Sequence, residues 1–84
     1  MVTTRHVKAA RALLGWSQAD LALRSGISEP TIARLESVEG DLGGRPDTTS
    51  KILKALAAAG IEFIDEHGAT AGVRLSKSNK ARRR

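Results

Sequence analysis

The chain has 84 residues, 40% of them hydrophobic but only 2% aromatic (Trp16 and Phe63), which leaves room for one small domain with an aliphatic core. It has no cysteine, which removes disulfides, thiolate metal sites and cysteine nucleophiles. It also has no apolar run long enough to span a membrane and no apolar export signal at its start, so the cytoplasm is the expected compartment. The formal net charge of +5 comes from residues 76–84, which hold Lys77, Lys80, Arg82, Arg83 and Arg84 and no acid; residues 1–75 balance nine basic against nine acidic side chains. Such a sum permits a nucleic-acid partner without establishing one. A chain this short buries roughly 60% of its unfolded surface, so self-association is a natural supplement to its core.

Val7, Ala10, Leu13 and Leu14 stand at helical spacing, which predicts a first helix over 5–14 with Thr3 or Thr4 as its cap and Gly15 as its stop. Ser17 and Asp20 form a capping-box pair, in which each side chain satisfies a backbone N–H of the other's turn. The helix they open covers 18–25, with Leu21 and Ala22 inward and Gly26 at its end. Ser28 caps a third helix running to about residue 37, with Ile32 and Leu35 as its buried stripe. Pro30 falls in its first turn, where a missing N–H costs little. Residues 38–45 contain Gly40, Gly43 and Gly44 and predict a loop. Asp47 is expected to cap a fourth helix reaching 59, with Ile52, Leu53 and Leu56 as its apolar face and Gly60 as its stop. Beyond Gly60 the apolar period shortens to that of strands, over 61–65 and 73–75, with 66–72 as the loop between them. Residues 76–84 lack apolar periodicity and are expected to be a disordered basic tail.

The informative stretch is 18–35. A small residue at Ala22, a turn residue at Gly26, and Ile27, Ile32 and Leu35 beyond it describe two short helices packed steeply through a tight turn. Such a unit leaves the first turn of the later helix pointing outward, as a DNA-reading helix requires. The sequence Leu14-Gly15-Trp16-Ser17-Gln18, Asp20-Leu21-Ala22, Ser25-Gly26-Ile27-Ser28, Thr31-Ile32 and Arg34-Leu35-Glu36 resembles the Cro/phage-repressor, or XRE, family of helix-turn-helix regulators. The resemblance covers about residues 5–59. The strands at 61–75 are similar to those of small bacterial members in which a hairpin follows the fourth helix.

The resemblance implies roles residue by residue. Glu29, Pro30, Thr31 and Arg34 occupy the face that reads base edges in this family, and Arg34 is suited to guanine O6 and N7, a contact worth about 1–3 kcal/mol of discrimination. Glu29 can accept from cytosine N4. Pro30 departs from the family's usual polar residue and offers only apolar contact. Ser17, Gln18, Ser28 and Arg45 match phosphate-binding positions, where helix N-termini favour anions; Gln18 would also buttress the reading helix. Arg11 and Glu36 match a pair that links the first helix to the end of the third.

The expected fold is mainly α: a four-helix phage-repressor-like helix-turn-helix domain (1–60), a short β-hairpin (61–75) and the basic tail (76–84). A lone hairpin is marginal in water, so Glu62, Phe63, Ile64, Val73 and Leu75 are expected to find cover in a second copy. The expected function is double-stranded DNA binding by a homodimeric repressor on a palindromic operator. The alternative is an antitoxin or interaction module that uses the same fold to bind another protein, Phe63 and Ile64 lying on opposite faces of one strand. The tail's charges could add sequence-independent phosphate contacts. Isolated His6 and His67 give no metal-ligand spacing, residues 40–44 lack the ending of a phosphate loop, and no catalytic pattern is present. No enzyme activity, cofactor, metal or membrane partner is expected.

Overall fold

The computed structural model describes residues 2–66 and 69–76. Helices α1 (Thr4–Leu14), α2 (Gln18–Ser25), α3 (Glu29–Glu36) and α4 (Pro46–Ala58) precede an antiparallel hairpin of β1 (Ile61–Glu66) and β2 (Ala69–Leu75). The molecule is therefore mainly α with a C-terminal hairpin. The end of the predicted basic tail, residues 77–84, lies outside the described residues.

Side chains mark where the helices start. Thr3 donates its N–H to His6 Nδ1 at 2.9 Å ahead of α1. At α2, Asp20 N–H donates to Ser17 Oγ at 3.0 Å, and Ser17 N–H donates to the Asp20 carboxylate at 2.9 Å. The bond from the Ser17 amide, and then that from its hydroxyl, holds the exposed Asp20 carboxyl below its ordinary range. At α3, Ser28 Oγ accepts from Thr31 N–H at 3.4 Å and donates to Thr31 Oγ1 at 2.9 Å. The start of α4 differs from expectation, because Arg45 rather than Asp47 occupies the cap. Pro46 takes the first helical position, where its missing N–H has no partner to lose. Asp47 then sits inside the first turn, where its charge still complements the helix dipole, and pairs with Arg45 at 3.7 Å.

The core takes Val7 and Ala10 from α1, Leu21 from α2, Ile32 and Leu35 from α3, Ile52 and Leu56 from α4, and Ile61 from β1. Each large aliphatic side chain so buried contributes about 1.5–3 kcal/mol. Leu13, expected on the inner face of α1, is instead 46% exposed. The inner stripe follows 7, 10 and 14, and residue 13 lies about a quarter of a turn from its centre. Leu53, expected beside Ile52 and Leu56, is only half-buried.

The loop after α3 is pinned to α1. Buried Thr4 donates its N–H to Gly40 O at 2.9 Å and its hydroxyl to Val38 O at 2.6 Å. Gly44 combines φ +88° with an approach in which an added Cβ would stand 3.1 Å from Leu35 Cδ2. A side chain there would strain the backbone and press on the end of Leu35.

The hairpin is longer than expected. Residues 66–72 had been expected to form its loop, yet Glu66 belongs to β1 and residues 69–72 to β2, where Ala, Thr and Gly give no alternation to read. Ile61 pairs with Leu75, Phe63 with Val73 and Ile64 with Gly72; the register then shifts, pairing Asp65 with Thr70. Ser76 N–H donates to Gly60 O at 2.6 Å and closes the base. Cover for the sheet's inner face comes from within the chain: β2 lies against α1 and β1 against α4, with Phe63, Val73 and Leu75 packed on the core. Glu62 and Ile64 face outward, and Glu62 forms a cross-strand ion pair with Arg74.

Candidate nucleic-acid interface

The α2–α3 turn depends on a residue able to enter the left-handed region. Gly26 has φ 76° and returns its N–H to Ala22 O at 2.9 Å. Buried Ser25 then accepts Ile27 N–H on its hydroxyl at 3.3 Å, which directs the chain into α3. Ile27 and Ala22 are half-buried and packed against the core to which α2 gives Leu21 and α3 gives Ile32. The result is a short pair of helices in contact, with Ser28, Glu29 and Pro30 at the start of α3 exposed.

What holds α3 in place is a buried acid at its other end. Glu36 is 3% exposed and accepts from Arg11 Nε at 2.8 Å and Arg11 Nη2 at 2.7 Å. It also accepts from Gln18 Nε2 at 3.0 Å. Arg11 completes the link by donating Nη1 to Trp16 O at 2.9 Å. One carboxylate thus joins α1, the α1–α2 connection, α2 and α3. Burial pushes the Glu36 carboxyl up, but the bonds from Arg11 and Gln18, with the charge of Arg11, outweigh it and hold the group below its ordinary range. The bidentate Arg11 contact also fixes the orientation of the helix end, because both nitrogens must meet both oxygens.

The outward face of α3 is different in kind. Glu29, Pro30 and Arg34 are exposed and Thr31 is half-buried. The Arg34 carbonyl accepts from Ser37, but the Arg34 guanidinium has no hydrogen-bond or ion-pair partner among the described residues. It therefore stands hydrated, with all five of its donors available to a ligand. Thr31 accepts the Ser28 hydroxyl on its own oxygen and keeps its O–H to donate to a base.

The four residues expected at phosphates have different commitments. Ser17, Ser28 and Arg45 are each the cap of a helix, so each marks an end where unpaired backbone N–H groups and the dipole attract anions. The hydroxyls of Ser17 and Ser28 are occupied in capping, and Arg45 is exposed beside Asp47. Gln18 spends one amide hydrogen on Glu36 and keeps a second. Glu62, Phe63, Ile64, Val73 and Leu75, expected at a dimer contact, divide by strand alternation: Phe63, Val73 and Leu75 face their own core, while Glu62 and Ile64 are open.

Two contacts were not foreseen from the sequence. The Arg24 guanidinium lies over the Trp16 ring, 5.0 Å from its centroid, and so braces the α1–α2 connection that Arg11 also holds. Thr4 anchors the loop that follows α3. Trp16 and Arg24 are eight residues apart and on different elements, so no local spacing announces them.

Residues 7–41 match a family model described as a helix-turn-helix. No curated protein matches the chain. Among the described residues, no helix is long and apolar enough to cross a membrane.

Proposed function

We propose, from the premise that residues 7–41 are a helix-turn-helix DNA-binding domain of the Cro/C1 type in the XRE family, that this protein is a sequence-specific transcriptional repressor acting as a homodimer on a palindromic operator. The observation that carries this reading is the contrast within α3: an Arg34 with no guanidinium partner among the described residues, on the outward face of a helix whose other end is locked by Arg11, Gln18 and Glu36. An unpaired guanidinium on a fixed helix suits guanine O6 and N7, with Glu29, Pro30 and Thr31 beside it and the capped ends at Ser17, Ser28 and Arg45 set toward phosphates, alongside Gln18. Helix α3 has eight residues and is about 12 Å long, so one copy touches few base pairs. A two-fold dimer doubles the site and spaces the two reading helices about 34–36 Å apart, one turn of DNA. The contact between copies is assigned to the hairpin, residues 61–75.

The test is a footprint on the DNA upstream of its own gene. Two symmetric protected half-sites, centred about one helical turn apart, are expected; protection without symmetry would contradict the dimeric reading, and no protection at low salt would contradict DNA reading altogether. A second reading, an interaction module or antitoxin, has one observation in its favour: Ile64 leaves an apolar side chain 41% exposed on the outer sheet face. A stoichiometric protein partner that co-purifies, together with no shift of promoter DNA, would move the assignment there.

A further inference from the structure

Among the described residues the sheet has two strands, and the strand pairing of β1 is with β2, on one side. Because β2 lies against α1 and β1 against α4, the free edge of β1 is on the α4 side. A groove of about 730 Å³ runs there, lined by Pro46, Leu53 and Ala57 along one stripe of α4, by Leu42, and by Phe63 of β1. This stripe is separate from Ile52 and Leu56, which are buried in the core. An open strand edge beside an apolar floor asks for a strand that brings its own apolar side chain.

We propose that a second copy of this chain fills the groove, adding its β1 antiparallel to the free β1 edge with Phe63 opposite Phe63. This rests on the homodimer reading above and names its contact. In an antiparallel pair, residues directly opposite share one face of the sheet. The partner's Phe63 therefore enters the same side as Phe63, over Leu53 and Ala57. Registers that keep both inner faces on that side differ by steps of two residues. A step one way sets Glu62 against Glu62, and a step the other way sets it against Glu66. Like charges directly opposite are destabilising. The Phe63 register sets Glu62 against Ile64 instead, and Glu62 already has its charge answered by Arg74 within its own hairpin. The product is a continuous four-stranded sheet, β2–β1–β1–β2, with the helices of both copies on one face.

Because the chain has no cysteine, the register is readable by disulfide trapping. The double variant Glu62→Cys/Ile64→Cys, mildly oxidised, should give a covalent species of twice the 8.9 kDa chain mass on a non-reducing denaturing gel. Leu23→Cys, on an 80% exposed position of α2, should give none at the same concentration. In sedimentation, Leu53→Asp should convert the dimer to a folded monomer, with its helical circular dichroism retained, while Leu23→Asp should leave the dimer intact. A dimer that survives Leu53→Asp, or that forms no disulfide between 62 and 64, overturns this interface and leaves the homodimer reading standing. A monomeric wild-type protein overturns both.

Discussion

Glu36 and Arg34 stand two residues apart on α3 and do opposite work. Glu36 is 3% exposed and takes hydrogen bonds from Arg11 and Gln18 on two other helices. Arg34 is exposed, and its guanidinium has no hydrogen-bond or ion-pair partner among the described residues. The difference shows how an eight-residue helix too short to be stable by itself becomes a rigid reading head. The inward side is fixed by a charge network and by Ile32 and Leu35, so that the outward side can be left unsatisfied. Loss on the first side should appear as instability; loss on the second should appear only against DNA.

The largest expected effect follows from removing one partner of the network. Arg11→Ala leaves the Glu36 carboxylate buried with only Gln18 beside it and should cost about 3 kcal/mol in urea unfolding at neutral pH. A loss below about 1 kcal/mol would give the pair the worth of an exposed one and undo the contrast. Acid should sharpen it. Glu36 titrates lower in the fold than its ordinary value of 4.5, so its ionised form adds stability that is fully present above that pH and drains away as the pH falls through the folded value. In Glu36→Gln that drop should flatten; an undiminished drop would point to other groups, Asp20 first among them.

Smaller effects lie at the periphery. Ser28→Ala removes the cap of α3 and should cost about 1 kcal/mol of thermal stability, while leaving Arg34 in place. Arg24→Ala removes the guanidinium over Trp16 and should cost about 0.5 kcal/mol, because the Arg24 side chain is exposed. An effect of Arg24→Ala as large as that of Arg11→Ala would show that the α1–α2 connection, rather than Glu36, anchors the helix pair.

Local chemistry made much of this fold readable. Ser17 with Asp20, Ser28 with Pro30, and Gly15 and Gly26 each act within one turn of chain, and the helices they bound follow. The start of α4 was less legible, because Arg45, Pro46 and Asp47 offer two competing signals and the proline's fixed backbone prevails. The extent of β2 was not legible, since residues 69–72 carry no apolar alternation and are held only by pairing with β1. In the candidate site, Arg11 and Glu36 are linked in the sequence only by family resemblance; twenty-five positions apart, they carry no periodic signal. Leu53 and Ala57 read as part of an ordinary amphipathic helix, and only the placement of Phe63 shows that their stripe borders a groove.

The most direct test of a locked helix presenting a free reader is Arg34→Ala, assayed for both folding and base preference against a randomised operator pool. Unfolding should stay within about 0.5 kcal/mol of wild type, while selectivity at one base position per half-site falls by about 1–3 kcal/mol, leaving the remaining positions unchanged. An unaltered base preference, or a protein that unfolds along with its loss of binding, would contradict the account.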